Sequence, residues 1–208
     1  MVSSVPRHQI LAAATAVFAE TGFAGARVDE IADRAGVNKA MLYYHVGNKR
    51  ALYEEVLRSV IAHVRSVLDR VVASSDDPTE RLQRIAREIA SFADSNPDLP
   101  AILFREVATG GRNLDDELLR ELSQVFAKIR RIYELGAESG AFRPTDPLLA
   151  HLIFVGSLFF LIGSKPLRGR LRALMGTAAE TEETPDALAA HFTELLLEGL
   201  RVRKGEWS

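Results

Sequence analysis

The chain has 208 residues, 47% of them hydrophobic, with only 14 glycines and 8 prolines. That composition suits one large or two small compact bodies and excludes a disordered chain. The absence of cysteine excludes a disulfide framework, a thiolate zinc site and a cysteine nucleophile, and the net charge of −2 argues against indiscriminate coating of nucleic acid.

In chain order the apolar spacing is helical throughout, and no segment shows sustained period-two alternation. Residues 1–6 lack the charged stretch and apolar run of a signal peptide, so a cytoplasmic protein is expected. Ile10, Leu11, Ala14, Val17 and Phe18 share one face of a first helix over Pro6–Thr21, with Gly22 as its C-terminal cap. Val28–Ala35 is a second, short helix broken by Gly36. Asn38 is placed to cap a third, with Val37 and Leu42 at the positions of a hydrophobic staple. Asn48 caps a long fourth helix that runs to about Val72. Ser74–Asp77 links to a helix from Pro78 to about Asp94, stopped by Asn96-Pro97. A shorter helix spans Leu99–Ala108 and ends at Gly110-Gly111. A long one follows from about Asp115 to Ser139, with a stripe of Leu118, Leu122, Val125, Phe126, Ile129, Tyr133 and Leu135.

Asp146-Pro147 starts the most apolar helix, Leu148–Gly163. It is shorter than the roughly 20 residues needed to span a bilayer, and His151 interrupts it, so it reads as buried rather than membrane-spanning. Pro166 opens an arginine-rich helix ending near Gly176, whose Arg168, Arg170 and Arg172 read as a solvated face. Thr177–Thr184 is a polar, acidic loop. Thr184-Pro185-Asp186 caps a last helix, about Asp186 to Val202. The fold expected is all-α: a three-helix head over residues 1–50, joined by the long fourth helix to a helical body over residues 51–208.

The head holds Arg7, Arg27, Arg34, Lys39, Lys49 and Arg50 against Glu20, Asp29, Glu30 and Asp33, a net of +2, leaving −4 for the rest. A mildly basic head on an acidic body suits a small, localised phosphate contact; ordinary scatter of surface charge is the plain alternative. The second and third helices read as a helix-turn-helix. The major groove admits one α-helix, and only projecting side chains can read its donor/acceptor code. Ile31, Ala32, Val37, Leu42 and Val46 would form the shared core. Asn38 and the opening turn of Lys39, Ala40 and Met41 would face the bases. Lys39 can donate to guanine O6 or N7, or to phosphate; Ala40 and Met41 suit thymine methyls. Tyr43, Tyr44 and His45 suit phosphate and sugar, and Lys49 a phosphate beside the N-terminus of the fourth helix.

Residues 10–53, with Phe23, Ile31-Ala32, Ala35-Gly36-Val37, Leu42-Tyr43-Tyr44-His45 and Asn48-Lys49-Arg50-Ala51-Leu52-Tyr53, closely resemble the TetR family of bacterial transcriptional regulators. The resemblance covers about a quarter of the chain strongly and the rest by layout. It implies a homodimer formed by the helices at about 148–163 and 186–202, packed as a four-helix bundle. It also implies an operator DNA partner and a small effector whose binding in the body releases that operator. Three places depart from the family pattern. The usual Ser or Thr before the second helix is replaced by Ala26-Arg27, where Arg27 can supply a phosphate contact but no cap. Asp29 and Glu30 then suit the helix dipole but repel DNA. Val46 stands where Phe is more usual.

In the body, Phe92, Phe104, Phe126, Tyr133, Phe154, Leu158, Phe159 and Phe160 line either a ligand cavity or plain core. His151 is a ligand contact or a core histidine; Arg105 and Glu106 are the other polar candidates. The five histidines show no metal-ligand spacing, no nucleophile elbow or acid/base pair is present, and no catalytic residue, metal or cofactor is expected. The function expected is a ligand-responsive, sequence-specific regulator that represses until a largely apolar effector binds. The alternatives are an activator and a helical small-molecule carrier or scaffold with a degenerate head.

Overall fold

The computed structural model describes residues 6–177 and 184–201, all-helical with no strand among them. The helices are α1 Arg7–Gly25, α2 Val28–Ala35, α3 Lys39–Val46, α4 Lys49–Ser74, α5 Pro78–Ser95, α6 Leu99–Ala108, α7 Asp116–Glu138, α8 Pro147–Gly163, α9 Lys165–Met175 and α10 Pro185–Leu200. Most of the loop expected at Thr177–Thr184, and Val202 at the expected end of the last helix, lie outside the described residues. No single described helix is long and apolar enough to cross a membrane.

Local chemistry accounts for most of the boundaries. Asn38 Oδ1 accepts from Met41 N–H at 2.7 Å and Asn48 Oδ1 from Ala51 N–H at 2.9 Å. Asp77, Asp115, Asp146 and Thr184 cap α5, α7, α8 and α10 in the same way. Gly36, at φ 67°, closes α2. Its N–H bonds Asp33 O and that of Val37 bonds Ala32 O, the paired closure that turns the chain from α2 into α3.

One boundary differs from expectation. Gly22 does not end α1; it bends it, and a further turn continues to Gly25. Gly22 has φ 71° and ψ 174°, a region essentially restricted to glycine. The bend is braced by Arg105 of α6, which donates to Glu20 O at 3.2 Å.

The described helices form two compact units, residues 1–63 with 97–122, and residues 64–96 with 123–208. The units therefore do not follow a single cut near residue 50. In the first unit α1 packs on α2 and α6, and α2 on α3. Its core includes Ile10, Phe18, Ile31, Leu42 and Leu52, each worth about 1.5–3 kcal/mol on full burial. Phe18, Phe23 and Tyr53 form an aromatic group, with Phe18 and Tyr53 edge to face at 4.7 Å. The Tyr53 hydroxyl donates to Glu106 Oε1 at 2.5 Å, and Asn113 Nδ2 donates to the same oxygen at 2.8 Å. In the second unit α5 packs on α8 and α10, and α8 on α10.

Candidate nucleic-acid interface

The head presents α3 on a small buried apolar core. Ile31 and Ala32 of α2 and Leu42 and Val46 of α3 are buried together as expected. Val37 is only half-buried, because the α2–α3 turn leaves it at the rim of that small core. On the other side, α3 holds Lys39, Ala40 and Tyr44 outward, with Tyr44 87% exposed and Tyr43 38% exposed. Met41 and His45 are half-buried. The His45 ring stands edge-on to Tyr44 at 5.6 Å.

Two of the expected DNA-contacting cations are held by protein groups in this state. Lys39 Nζ lies 2.8 Å from Asp29 Oδ1 on α2. Lys49 Nζ donates to Ala24 O at 3.2 Å and sits over the Phe23 ring at 4.9 Å, so it braces the end of α1 against the start of α4. Arg27 is exposed just before α2 and its side chain makes no cap, as the sequence implied. Arg34 clamps α2 to α1 through a two-pronged pair with Glu20, at 2.6 and 2.7 Å, and also reaches Glu30 at 3.0 Å. The Arg34 hydrogen bond holds the Glu20 carboxyl below its usual range.

Arg7 entered the sequence reading only as one of the head's charges. It shares an open cleft of about 460 Å³ with His45, Val46, Ala51, Glu55 and Arg58, and it pairs with Glu55 at 2.8 Å. Its place at the start of α1 lies outside the matched motif, and its charge was the only signal for it.

The body candidates divide. Tyr133, His151, Phe154 and Leu158 are buried in the second unit, and Phe92 and Phe126 are half-buried there. His151 meets Phe126 edge-on at 5.4 Å and Phe154 at 6.3 Å, and Phe154 meets Phe192 at 5.8 Å. Phe192, on α10, was not among the sequence candidates. Phe104 belongs to the first unit and is 38% exposed, so it does not share their core. It lies on α6, whose buried face is set by Leu99, Ile102 and Glu106. Burial pushes the Tyr133 hydroxyl pKa up, and that hydroxyl has no protein partner. Burial pushes His151 down to about 4. Phe126 also lines an open cleft of about 420 Å³ with Ser123, Ala127, Arg130, Asp146, Pro147 and Leu148. Among the described residues no group of His, Asp or Glu is arranged to hold a metal ion.

Two family descriptions match the chain. Residues 10–56 match the bacterial regulatory proteins of the tetR family, and residues 78–196 match the tetracyclin repressor-like C-terminal domain. The HTH-type transcriptional repressor NicS of Pseudomonas putida is 27% identical over 197 residues, 94% of this chain and 92% of that protein. The ketosteroid transcriptional regulator KstR2 of Mycobacterium tuberculosis superposes with a TM-score of 0.74 at 21% identity, covering 95% of each chain. The fatty acid degradation regulator FadR of Bacillus subtilis, solved with stearoyl-CoA, superposes with a TM-score of 0.69 at 19% identity, covering 94% of this chain and all of that one. The helix-turn-helix head and the helical body are thus each matched, and the chain belongs to the TetR family of bacterial transcriptional regulators.

Proposed function

We propose that this protein is a homodimeric, cytoplasmic repressor that leaves its operator when a largely apolar effector enters the body. The observation that carries the DNA contact is the outward face of α3. Asn38 fixes its first turn, and Lys39, Ala40 and Tyr44 project from a helix only eight residues long, anchored from behind by Leu42 and Val46. Such a helix fits the major groove with its opening turn at the bases and its later residues on the backbone. DNA contact is assigned to residues 1–50, and effector binding and dimerisation to 51–208. Arg27, Asn38, Lys39, Ala40, Met41, Tyr43, Tyr44, His45 and Lys49 are the contact set. One Lys49 donor is on Ala24 O, and its other ammonium N–H groups are left for a phosphate.

Dimerisation is supported by the unpartnered apolar faces of Leu148, Leu149, Leu152, Ile153 and Phe160 on α8 and Leu195 on α10. Large apolar side chains exposed together along one helix mark an association surface. The effector reading is supported by the aromatic group around His151 and Phe154 and by the buried Tyr133 hydroxyl. A polar atom of an effector could satisfy that hydroxyl. Because FadR of B. subtilis holds stearoyl-CoA, acyl thioesters and free fatty acids are the first effectors to try.

The test is a binding titration against the promoter region beside the protein's own gene, repeated with each effector. Sequence-selective binding that weakens with salt and is reversed by at least one acyl compound is expected. Binding no tighter than to unrelated DNA of equal length would refute the reading.

A further inference from the structure

The ion pair of Lys39 and Asp29 joins the helix that reads the groove to the helix that braces it. Their charged groups are 2.8 Å apart and both side chains are about half exposed. The hydrogen bond from Lys39 holds the Asp29 carboxyl below its usual range, with the charge of Arg27 acting the same way, and Asp29 raises Lys39 in return. Both groups are therefore ionised at neutral pH.

We infer that Asp29 is a specificity-determining positioning residue, which withholds Lys39 from phosphate and leaves it free to read a base edge. The inference rests on the DNA-binding reading above. Lysine is a compact charge on a flexible stem, and beside a duplex the nearest phosphate attracts it whatever the sequence. Paired with Asp29, Lys39 brings no net charge to that phosphate, and the carboxylate is itself repelled. The ammonium carries three donors, so one can stay on Asp29 while another reaches the groove floor. The contact suited to that free donor is directional, the O6 and N7 acceptors of a guanine. Random sequence rarely offers those acceptors in register. Asp29 therefore lowers sequence-independent affinity more than operator affinity.

The test begins with a pool of random-sequence duplexes, from which the wild-type chain selects its preferred site. Affinities for the selected duplex and for the unselected pool are then measured across a salt series. The proteins compared are the wild type, Asp29→Asn, Lys39→Met and the double variant. Asp29→Asn is expected to bind the pool more tightly, with a salt slope steeper by about one unit. The ratio of selected to pool affinity should fall about tenfold. In the Lys39→Met background the same Asp29→Asn change should leave the pool slope unmoved. An equal steepening in both backgrounds would reduce Asp29 to a generic negative charge and overturn the inference. So would equal weakening on both duplexes, the mark of a purely structural role. A wild type that selects no duplex at all sinks the regulator reading itself, and this inference with it.

Discussion

His151 sits on a helix whose other side chains are almost all apolar, with its ring covered by Phe126 and Phe154. Its pKa, about 4 in the fold because of burial, lies below an unfolded value near 6.5. Between those limits the unfolded chain binds a proton that the folded chain does not. The stabilising contribution is complete above pH 6.5 and is lost as the pH falls towards 4. The shift corresponds to about 3 kcal/mol at most. Urea unfolding should show stability declining from pH 7 to pH 5, and His151→Phe should remove that part of the decline. Identical pH profiles for the two proteins would place the loss on other groups. At this scale the sequence was most readable where chemistry is local. Asn38 and Asn48 act on backbone N–H groups three residues away, so their roles follow from spacing alone. The Asp29 partner of Lys39 and the carbonyl partner of Lys49 lie on other helices, and no periodicity announces them.

At the level of elements, the end of α7 is closed by a ring rather than by a cap alone. Phe142 folds back over Gly136, its N–H bonded to Gly136 O at 2.9 Å. A Cβ at Gly136 would stand 1.9 Å from Cδ2 of that buried ring. Alanine would gain up to about 1 kcal/mol in helix propensity, but overpacking of this kind costs about 1–3 kcal/mol. Gly136→Ala should therefore lower stability by up to about 2 kcal/mol in chemical denaturation, and adding Phe142→Leu should recover part of the loss. A stabilised single variant would mean that the ring moves aside freely. Helix α1 shows the complementary case: Gly22 is a plausible cap by sequence. Its extended ψ and the extra turn to Gly25 accompany a brace from Arg105, far along the chain.

For the whole molecule, the two body helices assigned to dimerisation leave their apolar faces open in the single chain, with Ile153 60% exposed. A glutamate there is solvated in a monomer and would be buried without a partner in a dimer. Ile153→Glu should keep its helical circular dichroism, sediment as a monomer and lose operator affinity; a variant that still sediments as a dimer would put the interface elsewhere. Architecture was legible here because most of the ten described helices carry their own start or stop signals. The effector was not, because Phe154 and Leu158 are buried and apolar whether they line a cavity or a core. The brace of Arg105 on Glu20 and the bond from Tyr53 to Glu106 also bear on protein engineering. A regulator chimaera made by transplanting residues 1–50 would leave behind Tyr53, Arg105 and Glu106. Bringing Tyr53 alone would bury its hydroxyl against a foreign surface. A graft meant to keep this operator preference would have to carry the discontinuous pair of segments, 1–63 and 97–122, as one inheritable module.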